Sequence, residues 1–106
     1  MMRKKISELG RFTNPSLLIL SSLAGGPKHG YAMIQDIEEL SGIRLEVGTL
    51  YGALTRLEEQ GWIEPLESTD RKRPYRLTAL GLSVLQEQLA TMQQILKISL
   101  QRLANA

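Results

Sequence analysis

Thr49, Tyr51, Gly52 and Thr55 place hydroxyls and bare backbone in the first half of one predicted helix, "VGTLYGALTRLEEQGWIEP", in which no acid appears before Glu58. Small and hydrogen-bonding residues of this kind suit contact with base edges in the DNA major groove. A recognition helix enters that groove by its N-terminal half, where phosphates would repel an acid. Arg56 faces outward on the same helix, and Arg71, Lys72 and Arg73 form a basic run further along the chain. Such cations suit phosphate oxygens beside the groove or the minor groove itself. Each feature also has a plainer reading: an ordinary solvated helix surface for the threonines, a solvated hairpin tip for the basic run. Finding both in the right order on one scaffold favours nucleic acid.

Catalysis has little to work with. The sole histidine, His29, sits at a Gly/Pro-bounded helix start, where it reads as a cap or packing residue rather than a base. There is no cysteine, hence no disulfide and no thiolate metal site. "AGGPKHG" lacks the spacing and the preceding strand of a phosphate-binding loop. The expectation is a protein that is not an enzyme and has no metal and no cofactor.

The elements that would position these residues follow from capping and periodicity. "NPSLLILSSLAGGP" has Asn14 as N-cap, Pro15 at the first helical position and Gly25, Gly26 and Pro27 as its stop, with Ser21 and Ser22 as its only polar side. "HGYAMIQDIEELSG" predicts a second helix, with Tyr31, Met33, Ile34, Ile37 and Leu40 at helical spacing and Gly42 closing it. In the third helix Val47, Leu50, Leu54 and Leu57 make one stripe predicted to be buried. Gly61 then stops that helix, and two short strands, Ile63 to Leu66 and Pro74 to Thr78, flank a charged turn, with Pro65 and Pro74 marking edge strands. Three helices followed by a hairpin is the order of a winged helix-turn-helix.

From Thr78 to about Leu103 runs the longest periodic segment. Leu82, Leu85, Leu89, Met92, Leu96, Ser99 and Leu103 alternate spacings of three and four, a heptad seam interrupted only by the serine. That much apolar surface on one helix predicts a dimerisation element. Upstream, Ile6, Leu9 and Phe12 recur at spacings of three, which predicts an N-terminal helix on the partner's long helix in preference to a disordered basic arm. The fold class expected is therefore mainly α with a small β-hairpin. A winged helix-turn-helix domain would span 1–78, with a helix or arm at 1–13, and a long C-terminal dimerisation helix 79–106.

With 106 residues the chain holds one domain and a modest core. Its net charge of +2 hides a division into three. Residues 1–29 balance to +4, residues 30–70 to −7 with nine acids against Arg44 and Arg56, and residues 71–106 to +5. No apolar run approaches the roughly 20 residues of a membrane span, and no secretion signal is recognisable, so a cytoplasmic location is expected.

"GPKHGYAMIQDIEELSG", "GTLYGALTRLEEQGWIEP" and "RPYRLTALGLSVL" resemble the successive motifs of the PadR family of transcriptional regulators, from about Pro15 onward. The resemblance implies a winged-helix repressor that dimerises through its C-terminal helix, here like the family's smaller subgroup with a short, single C-terminal helix. It implies double-stranded, palindromic operator DNA as partner, with His29, Tyr31, Thr49, Tyr51 and the wing residues Arg71 to Arg73 in contact. Packing of the Tyr51 ring is an equal alternative. It implies dimer contacts along the C-terminal seam, and a small aromatic or cationic effector as a possible inducer. Two departures stand out. Glu46 and Val47 replace the serine-proline pair that often opens the recognition helix, and the only tryptophan, Trp62, starts the hairpin instead of lying on the C-terminal helix. A reading from another class makes the domain a protein-interaction module, with Glu46, Glu58 and Glu59 joining Asp36, Glu38 and Glu39 in one acidic face.

Overall fold

A computed structural model describes residues 14–68 and 72–106 of the chain. Expectations for residues 1–13, Phe12 among them, and for Arg71 fall outside the described residues. Helix α1 spans Pro15–Leu23, α2 Gly30–Ser41 and α3 Val47–Glu59; strands β1 (Ile63–Pro65) and β2 (Tyr75–Leu77) precede α4, Ala79–Ala104. The strands pair antiparallel with Ile63 opposite Leu77, Glu64 opposite Arg76 and Pro65 opposite Tyr75. Lys28 adds a bridge to the far side of Tyr75, exchanging both backbone hydrogen bonds with it (3.1 and 2.9 Å). β2 remains an edge of a two-stranded sheet, as Pro74 just before it predicts, and is flanked on its far side only at Tyr75.

The apolar helix α1 sits at the centre, against α2, α3 and α4. Asn14 caps it through a side-chain bond from the Ser16 amide (2.9 Å), and Leu18, Ile19, Leu20 and Leu23 are buried. Ser22, expected on the polar side, is only 1% exposed. Its hydroxyl donates to Asp36 Oδ2 at 2.6 Å, so the buried group is satisfied and fastens α1 to α2. Lys28 Nζ donates to the Ser22 carbonyl and lies 3.9 Å from Asp36, which spends that cation within the fold.

Three apolar positions fall elsewhere than the periodicity predicts. Val47 opens α3 and projects beyond the core at 60% exposure, and Ala53 completes the buried stripe with Leu50, Leu54 and Leu57. Tyr31 and Leu40, at the two ends of α2, are exposed, leaving Met33, Ile34 and Ile37 to face inward.

α4 divides in two along its length. Gly81 and Leu85 are buried against the domain. Leu85, assigned from sequence to the dimer seam, is 2% exposed and belongs to the chain's own core, where the helix still touches α1 and β2. Beyond it Leu89, Met92, Ile95, Leu96, Leu100 and Leu103 are all exposed, and the chain extends 57 Å along its longest axis. Among the described residues no helix is long and apolar enough to cross a membrane.

Candidate nucleic-acid interface

The residues opposite the core of α3 define the candidate surface. At 100° per residue, Leu50, Ala53, Leu54 and Leu57 cluster on one side, which puts Gly48, Gly52, Thr55 and, in the last turn, Glu59 at the centre of the other. A glycine within a helix costs roughly 1 kcal/mol relative to alanine, so its presence needs a reason. The chain's own packing supplies none: a Cβ at Gly48 would meet nothing within 4 Å, and one at Gly52 only Arg56 Nη1 at 3.9 Å. The first half of the outermost line of α3 is therefore kept bare with no packing need among the described residues, and a rigid surface can come close to its backbone there.

Polar groups flank that bare line. Thr49 and Arg56 are exposed beside it. Thr55 donates its hydroxyl to the Tyr51 carbonyl (2.9 Å), so it presents a methyl and oxygen lone pairs outward instead of a donor. Glu46 is the N-cap of α3 but makes no side-chain capping bond, so the missing serine is not replaced in kind.

The wing approaches the same face. His29, Gly30, Tyr31, Tyr51, Lys72, Arg73 and Tyr75 line one cleft of about 210 Å³ between the start of α2, α3 and the hairpin. Gly30 makes this closeness possible, because a Cβ there would fall 2.8 Å from Tyr51 Oη and 3.2 Å from Leu50 Cδ2. The Tyr51 ring therefore packs on the first turn of α2, in line with the packing alternative, while half of the residue stays exposed. His29 is the N-cap of α2 without a side-chain capping bond. Lys72 and Arg73 are exposed and have no ion-pair partner among the described residues. Burial raises the Tyr75 pKa above its ordinary value, reinforced by the nearby Glu58 charge and Tyr51 and opposed by Arg73. The phenol is neutral at physiological pH.

Sequence reasoning named His29, Tyr31, Tyr51, Lys72 and Arg73 of this cleft and passed over Gly30 and Tyr75; on the outer face of α3 it passed over Gly48. The signal was present, since Gly48 and Gly52 are four apart in a helix whose apolar stripe lies elsewhere. Of the six acids in the interaction-module reading, Asp36 and Glu38 face Lys28 (3.9 Å) and Arg44 (3.6 Å); Glu64, outside that set, pairs with Arg76 (2.6 Å). No group of three or more metal-ligating side chains occurs among the described residues.

Helix, turn, helix and a two-stranded wing beside the second helix of the pair make this a winged helix-turn-helix protein. Residues 19–87 match the transcriptional regulator PadR-like family, and the chain belongs to that family. It is 44% identical over 85 residues to an uncharacterized 37.1 kDa protein in transposon Tn4556 of Streptomyces fradiae, a match covering 80% of this chain and 25% of that protein. The chain thus spans about a quarter of the length of that curated relative. Its structure is similar to a PadR family transcription regulator from Clostridium difficile (TM-score 0.76, 29% identity, 84% of this chain and 97% of that one). It is also similar to a PadR family transcriptional regulator from Eggerthella lenta (TM-score 0.76, 31% identity, 96% of this chain and 90% of that one).

Proposed function

We propose that this chain is a homodimeric, sequence-specific DNA-binding repressor. The observation that carries the reading is the bare first half of the outer line of α3, Gly48 and Gly52, set beside a cleft edged by Lys72 and Arg73. A helix whose outermost line carries only glycines in its first half can sink that half into a major groove, bringing Thr49, Thr55 and Arg56 to the base edges, while Lys72, Arg73, His29 and the tyrosines meet the flanking phosphates. Arg71 extends the basic run of the wing. Dimerisation is supported by the distal half of α4, where Leu89, Met92, Ile95, Leu96, Leu100 and Leu103 are exposed. Leu82, Leu89, Met92, Leu96 and Leu103 supply the seam, with Phe12 as a further contact. A second copy places two α3 helices in successive major grooves about 34 Å apart, so the operator is a palindrome. A dimer seated on a promoter blocks access to it, which makes repression in the cytoplasm the expected outcome. A small aromatic or cationic effector at the dimer surface is the release signal that the family resemblance suggests.

Gly52→Leu tests the reading. A leucine there meets open space and is a better helix former, so thermal stability is unchanged or higher. Binding to a palindrome enriched from random DNA falls at least about tenfold, since a groove wall meets the new side chain. Undiminished binding by this variant would remove the outer face of α3 from the interface.

A further inference from the structure

We infer that Thr78 is a positioning residue that sets the half-site spacing the dimer accepts, by locking the dimerisation helix to the recognition helix. The inference rests on the DNA-binding dimer proposed above. α3 and α4 scarcely touch each other. Apart from α1, on which both pack, the link between them is a compact joint of backbone and one side chain. Gly61, in the left-handed conformation at φ 77°, ends α3 and donates to the Glu58 carbonyl, and the Trp62 amide donates to the Leu57 carbonyl (both 3.0 Å). From the other side the Thr78 amide donates to the Trp62 carbonyl (3.1 Å) and the Thr78 hydroxyl to the Gly61 carbonyl (2.6 Å). The same hydroxyl oxygen accepts from the Gly81 amide (3.0 Å) and caps α4. One oxygen therefore bonds the exit of the recognition helix to the entry of the dimerisation helix. Gly81 lets the two backbones close to that distance, because a Cβ there would lie 1.8 Å from the Trp62 carbonyl oxygen.

The consequence is a fixed angle between the reading element and the pairing element. In a two-fold dimer that angle determines both the separation and the relative rotation of the two α3 helices. One added base pair turns one half-site by roughly 35° and moves it by about 3.4 Å relative to the other. A rigid joint rejects such a change; a loosened joint absorbs it by swinging α4.

The test is a panel of palindromes, enriched with the wild-type chain, whose half-site separation changes one base pair at a time. Binding is read by fluorescence anisotropy for the wild type, Thr78→Ser, Thr78→Asp and Thr78→Val. Serine keeps both bonds. Aspartate keeps a capping acceptor for Gly81 but has no proton for the Gly61 carbonyl, whereas valine loses both bonds, so the pair separates the joint from the helix cap. Wild type and Thr78→Ser prefer one spacing by roughly tenfold over its neighbours, and Thr78→Asp narrows that preference to about twofold while the variant stays dimeric. A Thr78→Asp profile as sharp as the wild type overturns the inference. So does a uniform loss at every spacing that follows a lowered melting temperature. A wild type indifferent to spacing would instead contradict the paired-groove reading on which the inference depends.

Discussion

Replacing Gly81 by alanine adds one methyl group where the fold has no room for it. The new Cβ would sit 1.8 Å from the Trp62 carbonyl oxygen, and side-chain carbons do not come nearer than 3.0 Å, so α4 and the start of the hairpin must separate by at least about 1.2 Å. Both partners are backbone, so rotamer change gives no relief. A shift of that size breaks the two bonds that cross the gap, the Thr78 amide to Trp62 and the Thr78 hydroxyl to Gly61, while the Gly81 bond to Thr78 moves with α4. At about 1 kcal/mol each the loss is roughly 2 kcal/mol, offset by about 1 kcal/mol from the better helix propensity of alanine. The net destabilisation of about 1 kcal/mol corresponds to a fall in melting temperature of roughly 4–8 °C for a domain of this size. Circular dichroism melts of both proteins at one fixed concentration, since pairing would make the midpoint concentration-dependent, measure it. A variant melting within about 2 °C of the wild type would show that α4 docks on the hairpin less closely than this geometry requires.

Four further outcomes follow from the same geometry. Removing the cations of Lys72 and Arg73 together with alanine weakens binding to all DNA and lowers the slope of log affinity against log salt by roughly 0.9 for each phosphate no longer neutralised; an unchanged slope takes the wing off the DNA. Thr49→Ala changes the preferred sequence, and equal weakening on operator and random DNA would count against base readout. Leu96→Glu, at a position 59% exposed in the single chain, leaves the domain folded but shifts sedimentation to monomer at micromolar concentration; a persistent dimer would move the interface elsewhere. Because the folded-state pKa of Tyr75 is raised, the stability linked to its neutral phenol is complete below the unfolded value of about 10 and is lost as pH rises through the folded value. Tyr75→Phe therefore shows a smaller alkaline decline in melting temperature than the wild type, and parallel declines would contradict the assigned burial.

The order of elements was legible in the sequence because caps, glycine stops and apolar spacing agree over long stretches. Asn14, Gly42 and Gly61 stand where α1, α2 and α3 begin or end. What periodicity could not supply was how far each neighbour reaches. Val47 continues the α3 stripe by spacing, yet it is exposed between the buried Leu45 and Leu50; Leu85 continues the α4 seam, yet it is buried in the chain's own core. Ser22 reads as surface by type and is buried because Asp36 lies across from its hydroxyl. At the candidate interface the hydroxyls and cations stood out as chemical groups, whereas the glycines had to be understood from the space around them. Gly30 and Gly81 are required by Tyr51 and by the Trp62 carbonyl, while Gly48 and Gly52 meet no packing need among the described residues.

The central claim is that this surface reads DNA sequence. Anisotropy titrations of the wild-type chain against a palindrome enriched from random DNA and against a scrambled duplex, each at two salt concentrations, test it most directly. The account predicts binding to the palindrome at least about a thousandfold tighter than to the scrambled duplex, with affinity for both falling as salt rises. Failure to enrich any palindrome, with feeble and salt-insensitive binding to all DNA, would contradict it.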